Sequence, residues 1–389
     1  MKSNLVLRTH QSRGRTGPGR GNARLRVIDY YVGIPLIAAL GALRKKQPLP
    51  PKPDRIGVLN TAAIGDTVIM SAVIADLHEH YRRSQILLLT GPSNDEVSRM
   101  IKHVEAVIQL RVFNPLKAIR QIRNLCLDIL LDFGPWSRLN ALFALCSDAR
   151  FTVGFRTARQ YRHYGYDVSV EHGADVHELE NHRRIVSAIG VQPTHLPSLT
   201  FDAGPSRTLV EQAKPFVVFH PWPGGTNARF KEWPETRWVA LAEELIAAGY
   251  RVVLTGSQTQ RDLNEQLIAR IGSACAPRML NVAGISLCET AGWLAGAQLV
   301  VSVDTGIMHV ANSLPVPLVA LHGPTSAKRW GPAGIGAISL ESPIEGSGYL
   351  NLGFEHPPQP PRCMEGITFD CVLQACRTVL EANVQSLLV

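Results

Sequence analysis

A strand–turn–helix–strand pattern between residues 299 and 325 is the strongest constraint on how this 389-residue chain folds. An apolar run ends at Asp304-Thr305-Gly306, a short helical pattern follows, and a second apolar run closes at Thr325. Units of this kind build parallel sheets that are covered by helices. Unpaired N–H groups and the helix dipole favour anions at a helix N-terminus, so Thr305 and Gly306 indicate a phosphate site at the strand end.

The same alternation of strands and helices occurs in both halves of the chain. The predicted strands are 55–60, 86–90, 107–112 and 129–133 in the first half and 216–220, 251–255, 299–303 and 318–321 in the second. Helices are predicted over 66–81 and 237–249. This pattern predicts an α/β fold with two doubly wound, Rossmann-like domains that face each other across a cleft. Ligands in such sheets bind beyond the carboxyl ends of the strands.

The predicted organisation has four parts. They are a basic leader with a Pro-rich linker (1–54), an N-terminal domain (55–205), a C-terminal domain (206–365) and a last helix (366–389). The last helix is a candidate to cross back and pack on the N-terminal domain. Residues 1–23, which are rich in Gly, Arg and Ser, are expected to be disordered.

Much of the net charge of +8 lies in the leader. A basic terminus suits an anionic surface, either membrane or nucleic acid, but nothing in the chain resembles a nucleic-acid-binding module. The apolar run from Tyr30 to Leu43 is too short to span a bilayer. It either lies in a membrane interface or packs on the protein core as an ordinary helix. Seven scattered cysteines indicate reduced thiols and a cytoplasmic protein.

Asp66 is the first candidate for chemistry, because it stands at a strand-to-helix turn that faces the predicted cleft. The turn lacks both the G-x-G-x-x-G dinucleotide fingerprint and the G-K-[ST] of a P-loop. Two interpretations of Asp66 remain open. One is a general base that takes a proton from an attacking hydroxyl, and the other is a helix N-cap.

Further candidates lie in the second half. The Gly-rich loop from His220 to Thr226 brings backbone N–H groups towards an anion, and Lys231 adds a positive charge for a phosphate. Thr325 is a candidate donor to the same phosphate. Asp304 is either a helix cap or a ligand-site residue, and His309 is either a packed residue or a ligand contact.

Several other site classes are not supported. His177 and His182 are one residue too far apart for a zinc-binding helix, and the cysteines lack a C-x-x-C pair. The G-x-S-x-G motif of hydrolases is missing. We therefore expect neither a metal site nor a cofactor.

Three motifs resemble glycosyltransferase family 9, the ADP-heptose:lipopolysaccharide heptosyltransferases. They are GDTVIMSAVIADL at 65–77, HPWPGG…KEWPETRW at 220–238 and DTGIMHVANSLPVPLVALHGPT at 304–325. The resemblance covers residues 55–380 and excludes the leader. It implies a GT-B fold and inverting, metal-independent transfer of a sugar from a nucleotide sugar such as ADP-heptose. The implied acceptor is a hydroxyl of a lipopolysaccharide-core or related glycolipid, and the implied location is the cytoplasmic face of the inner membrane. The resemblance implies that the N-terminal domain (55–205) binds the acceptor and the C-terminal domain (206–365) binds the nucleotide-sugar donor.

The resemblance also implies roles for individual residues. Asp66 matches the base position, and Lys231 matches the lysine that binds the donor phosphate. The donor site is matched by Asp304, Thr305, Gly306 and His309. One position departs from the family, because Gln258 stands near the place of an acidic residue that binds the nucleotide ribose. Two alternatives therefore stay open, a GT-B-like nucleotide-sugar epimerase and a non-catalytic nucleotide-sugar or glycan-binding protein.

Overall fold

The structure is a computed structural model that describes residues 23–204, 206–225, 227–353 and 355–386. The expectation of disorder for the first residues therefore lies almost wholly outside the described part. Two helices precede the first domain, α1 (Ala23–Tyr31) and α2 (Gly33–Leu43). In the described residues, no helix is long and apolar enough to cross a membrane.

The N-terminal domain contains one sheet of six parallel strands in the order β3-β2-β1-β4-β5-β6. The strands are β1 (Arg55–Asn60), β2 (Gln85–Thr90), β3 (Ala106–Gln109), β4 (Ile129–Asp132), β5 (Phe151–Arg156) and β6 (Val168–Glu171). The helices are α3 (Ile64–His80), α4 (Asp95–Ser98), α5 (Pro115–Arg123), α6 (Arg138–Leu145) and α7 (Glu178–Ser187), with a 3-10 turn at Arg162–Gly165.

Both faces of this sheet are covered, which explains its nearly continuous apolar strands. Along β1, Ile56 and Val58 face a core shared with α3 and α7, whereas Leu59 faces a core shared with α5 and α6. Ile37 of α2 is buried in the second of these cores. The leader helices therefore pack on the N-terminal domain.

The C-terminal domain repeats the same winding, with strands in the order β9-β8-β7-β10-β11-β12. The strands are β7 (Phe216–His220), β8 (Arg251–Leu254), β9 (Met279–Asn281), β10 (Leu299–Val303), β11 (Leu318–His322) and β12 (Ala337–Glu341). The helices are α8 (Ser206–Ala213), α9 (Glu235–Ala247), α10 (Arg261–Arg270), α11 (Leu287–Gly296), α12 (Gly306–Asn312), α13 (Ala327–Trp330) and α14 (Phe369–Ser386). Short 3-10 turns lie at Ala228–Lys231, Gln258–Gln260, Ala276–Arg278 and Cys363–Gly366.

The prediction of two doubly wound domains is confirmed. Each sheet reverses its strand order at one point, between β1 and β4 and between β7 and β10. The loops that follow β1, β7 and β10 carry most of the candidate residues, so these lie at the switch points where such sheets bind ligands, while Gln258 and Thr325 follow the neighbouring strands β8 and β11. Four strands were missed, namely β5, β6, β9 and β12. Two of them, β6 and β12, are partly exposed along most of their length and lack a long apolar run.

The last helix does not follow the expected route back to the first domain. The apolar face of α14 packs on the C-terminal sheet, where Val372 and Cys376 are buried in one core with Val217 and Val301. The reason is the spacing of its apolar residues, which recur three or four positions apart and form one stripe. All seven cysteines are free thiols.

Candidate active site

The N-terminal ends of α3 and α12 meet between the two domains. A Cβ atom on Gly306 would lie 2.8 Å from Cβ of Ile64, and one on Gly65 would lie 2.7 Å from the His309 ring. Contacts this short exclude a side chain at either glycine unless the neighbour moves. The two glycines therefore allow a backbone approach that places Asp66 beside the residues of the DTG turn.

Asp66 lies in the first turn of α3 and is buried. The residue before the helix, Ala63, has a φ of 63°, which turns the chain sharply from β1 into α3. The Asp66 carboxylate is therefore held at the positive end of a long helix, which favours its ionised form. Ala63 occupies the cap position, so the N-cap interpretation of Asp66 is wrong.

Three residues predicted separately form one cluster. Lys231 Nζ donates to Asp304 Oδ2 at 2.7 Å, and Thr325 Oγ1 donates to the same oxygen at 2.8 Å. Burial acts to raise the pKa of Asp304, but Lys231 and the nearby histidines hold that pKa below its usual range. Asp304 is thus a buried carboxylate whose role in the structure is to hold Lys231 and Thr325.

Asp304 does not cap α12, which corrects that interpretation. Thr305 is the capping residue, and its hydroxyl accepts from the Met308 N–H at 3.4 Å. Asp304 is one residue too early and points to the opposite loop, where Lys231 lies. Thr305 and Gly306 are only partly buried, so the start of α12 remains accessible from the space between the domains.

His309 is a neutral imidazole at ordinary pH. Burial lowers its pKa to about 3, although Asp304 acts in the opposite direction. A neutral ring in contact with Gly65 connects α12 with the turn of Asp66. The interpretation of His309 as a packed residue agrees with its burial, and a ligand contact stays a prediction for this residue at the border of the candidate site.

The loops at the ends of β7 and β8 are joined by a residue that the sequence did not single out. Gln260 Nε2 donates to the carbonyl oxygens of Trp222 and Pro223 at 3.1 and 3.3 Å. Gln258 is exposed, and its amide lies over Gly284, where a Cβ would come within 2.1 Å of the amide oxygen. Thr226 lies outside the described residues.

An ionic cluster joins the domains beside this site. Arg329 Nη2 of α13 lies 2.5 Å from Glu178 Oε2 at the start of α7, and His172 Nε2 lies 3.1 Å from the same oxygen. His177, which with His182 forms the histidine pattern that is one residue too long for zinc, caps α7 and contacts the Gly331 carbonyl at 2.9 Å. That pattern was the only sequence signal for the cluster, and its function here is a contact between domains. Across the described residues, no group of three or more His, Cys, Asp or Glu side chains is arranged to hold a metal.

Comparison with known families matches this architecture. The model of glycosyltransferase family 9 (heptosyltransferase) covers residues 116–347, which is more than half of the chain. The chain belongs to glycosyltransferase family 9. A relative, lipopolysaccharide heptosyltransferase 2 of Salmonella typhimurium, is 34% identical over 141 residues. That match spans 35% of this chain and 40% of the relative, so the chain spans less than half of this relative's length.

Solved structures support the GT-B fold. The E. coli ADP-heptose lps heptosyltransferase II superposes with a TM-score of 0.68 at 21% identity, covering 85% of this chain and 99% of that one. The E. coli heptosyltransferase WaaC with ADP superposes with a TM-score of 0.64 at 19% identity, covering 84% and 99%. At these identities the likeness shows the fold.

Proposed function

We propose that this protein is an inverting glycosyltransferase that transfers heptose from ADP-heptose to a hydroxyl of a lipopolysaccharide-core glycolipid. The observation that carries the proposal is the approach of α3 to α12, because the turn of Asp66 then lies beside the DTG turn, whose residues are proposed to bind the donor. Membership of the family and the names of its relatives support the donor and acceptor classes. The reaction would then take place at the cytoplasmic face of the inner membrane.

In this proposal Asp66 is the general base. The acceptor oxygen forms a bond to the anomeric carbon while the bond from that carbon to the diphosphate oxygen breaks. The acceptor proton passes to the Asp66 carboxylate, and the nucleoside diphosphate leaves. Attack from the face opposite the diphosphate inverts the anomeric configuration. General base catalysis contributes about 10²- to 10⁴-fold in rate.

Lys231 stabilises the diphosphate as its negative charge grows. An ammonium group has three N–H donors, and Asp304 accepts only one of them in the structure. The other N–H groups are directed by this bond and remain for phosphate oxygens. Asp304 is therefore a positioning residue, while Thr305 and Gly306 supply backbone N–H groups at the start of α12.

Gln258 is proposed to contact the nucleotide ribose, with the amide in place of the acidic residue. An amide still bonds to a hydroxyl, but without the added strength that a charged acceptor has. Thr325, whose hydroxyl donates to Asp304, supports the Lys231 cluster, and a bond from this hydroxyl to the phosphate would require its O–H to leave Asp304.

Product analysis tests the proposal. The protein is incubated with ADP-heptose and a heptose-deficient lipopolysaccharide, and the products are analysed by mass spectrometry and NMR of the new anomeric centre. The proposal requires a heptosylated acceptor of inverted configuration. An altered sugar released from donor alone would instead identify an epimerase. Donor binding without product across a panel of acceptors would identify a binding protein.

A further inference from the structure

The outer side of the leader helices is an exposed apolar surface. The large apolar side chains that form it, here called the leader face, are those of Val27, Ile28, Tyr31, Val32, Leu36 and Leu43. Among the described residues, half of the sixteen exposed large hydrophobic side chains lie between residues 27 and 49. This concentration distinguishes the leader from the rest of the surface, where such residues are scattered and need no explanation.

Helical spacing separates the leader face from a second, inner face. The Val32 N–H donates to the Ile28 carbonyl and the Leu36 N–H donates to the Val32 carbonyl, so the helical pattern continues from α1 into α2. Residues 29, 33, 37 and 41 recur every four positions and point to the protein body. The outer residues Ile28, Val32 and Leu36 follow the same spacing one position earlier, which turns them about 100° away from the inner residues.

The inner face is firmly seated on the N-terminal domain. Asp29 accepts from Arg138 Nη1 at 2.6 Å and from the Arg138 N–H at 3.0 Å. A Cβ atom on Gly41 would lie 2.2 Å from the Tyr164 carbonyl oxygen, so α2 lies directly on that turn. Beyond α2, Arg44 Nη2 lies 2.8 Å from Asp167 Oδ2. These contacts fix the helices, and the leader face is presented outward in one orientation.

Basic residues lie at the end of the leader face that follows α2. The first 53 residues contain eleven Lys or Arg residues and one acidic residue, Asp29, which is paired with Arg138. Lys45 and Lys46 follow α2 and are exposed, and the side chain of Arg156 is exposed at the end of β5. Burial is the largest cause that lowers the pKa of His163, and the charges of Arg156 and Lys46 lower it further. Both basic groups therefore lie near the turn of His163, beside the leader.

We propose that the leader face docks on an anionic lipid bilayer, with α1 and α2 lying in the plane of its interface. The helix α2 has no charged side chain, packs on the protein with one side, exposes an apolar side and is followed by basic residues, which are the features of an interfacial segment. Anionic headgroups attract the flanking lysines, and the acyl region accepts the apolar side chains. Neither feature requires a helix that spans the membrane.

The contact between the leader helices and the N-terminal domain connects the leader face with the candidate active site. α2 packs on α6, and Asn140 of α6 accepts from Thr61 Oγ1 at 2.9 Å in the loop that leads to Asp66. Docking through the leader face would therefore hold the N-terminal domain, and with it the turn of Asp66, close to the bilayer. This last point rests on the proposed function, since it assumes a glycolipid acceptor, whereas docking itself does not.

Vesicle binding by the full chain tests docking without any need for turnover. The protein is sedimented with vesicles of equimolar phosphatidylglycerol and phosphatidylcholine and with vesicles of phosphatidylcholine alone. The leader-face variant carries Val32→Ser, Leu36→Ser and Leu43→Ser. We expect wild-type protein to bind the anionic vesicles and this variant to bind them at least about tenfold more weakly. Replacing Lys45 and Lys46 by Ser weakens binding about fivefold for each lysine removed.

A matched control carries Phe113→Ser, Leu116→Ser and Ile335→Ser, three exposed apolar residues outside the leader face. It binds vesicles like wild type if the proposal holds. Docking is refuted if wild-type protein does not bind anionic vesicles or if the leader-face variant binds as well as wild type. It is also refuted if sedimentation shows a wild-type dimer that this variant dissociates, because a second copy then covers the face.

Two further measurements separate this inference from the proposed function. Stabilisation by ADP in a thermal-shift assay stays unchanged in the leader-face variant, which also shows that the variant is folded. Turnover on a detergent-solubilised acceptor stays near wild type, while turnover on acceptor embedded in anionic vesicles falls about tenfold. Vesicle binding without any sugar transfer refutes the proposed function and leaves the docking surface intact.

Discussion

The contact between α3 and α12 makes Gly306→Ala the most informative substitution. The added Cβ would lie 2.8 Å from Ile64 Cβ, 3.0 Å from Ile64 Cγ2 and 3.3 Å from the Gly65 nitrogen. Ordinary contacts of this kind begin near 3.4 Å. The two helix ends must therefore separate by roughly 0.6 Å or more, the difference between 3.4 and 2.8 Å, which moves the turn of Asp66 away from the donor site.

Two opposing effects set the expected change in stability. Overpacking a close contact costs about 1–3 kcal/mol, whereas Ala in place of Gly in a helix contributes up to about 1 kcal/mol. The net free energy of unfolding therefore falls by about 0–3 kcal/mol. Activity responds more strongly, because a displacement of about 1 Å in the reacting groups costs about 100-fold in rate.

The assay for Gly306→Ala compares kcat for transfer with the affinity for ADP measured by calorimetry. We expect kcat to fall about 10- to 100-fold, while ADP affinity changes by less than about threefold because Lys231 and Asp304 both belong to the C-terminal domain. Gly272→Ala is the control, since its Cβ would meet only Glu243 Oε1 at 3.6 Å. Wild-type kcat together with a raised Tm in Gly306→Ala would refute the reasoning, because the contact would then be absent in the working enzyme.

Three further predictions follow from the site. Lys231→Met weakens ADP binding about 10- to 100-fold in calorimetry, because it removes a charge-assisted bond of about 1.5–3 kcal/mol, while Lys214→Met leaves binding unchanged. Between pH 7 and pH 5.5 the free energy of unfolding, measured from urea midpoints, falls by about 1 kcal/mol for each of three buried histidines. The reason is that the pKa of each histidine is lower in the folded state than in the unfolded state, so the unfolded state binds the proton first. These histidines are His182 and His220, with pKa lowered to about 4, and His309, to about 3, in each case by burial. His309→Asn reduces this pH dependence, whereas His80→Asn, at an exposed position, does not. If the free energy of unfolding changed equally with pH in the wild type and both variants, the result would contradict the assignment of the pH dependence to buried histidines. Gln258→Glu raises ADP affinity several-fold, because a charged acceptor bonds a ribose hydroxyl more strongly, and an unchanged affinity would remove residue 258 from the ribose site.

The sequence predicts the fold and much of the candidate site because both depend on local patterns. Buried parallel strands appear as apolar runs, as in Phe216–His220 and Leu299–Val303, and both runs match the strands of the structure. The turns after such strands show which residues reach the switch point. Asp66, Lys231 and Asp304 were all found in this way.

Contacts between distant segments were beyond the reach of these patterns. The bond from Lys231 to Asp304 joins positions 73 residues apart, and the ion pair of Arg329 with Glu178 joins the two domains. A pairing of this kind depends on how the sheets face each other, which no short motif records. For the same reason, the sequence alone did not predict which domain α14 packs on or which sides of the leader helices are buried and exposed.

Single-turnover transfer by Asp66→Asn and Asp66→Ala tests the central claim most directly. The proteins are saturated with ADP-heptose and the true acceptor, and circular dichroism and ADP binding confirm that both variants are folded. If Asp66 takes the acceptor proton, both variants transfer heptose about 10²- to 10⁴-fold more slowly than wild type, with ADP affinity unchanged. Near-normal transfer by folded Asp66→Asn would contradict the account and remove Asp66 from the base role.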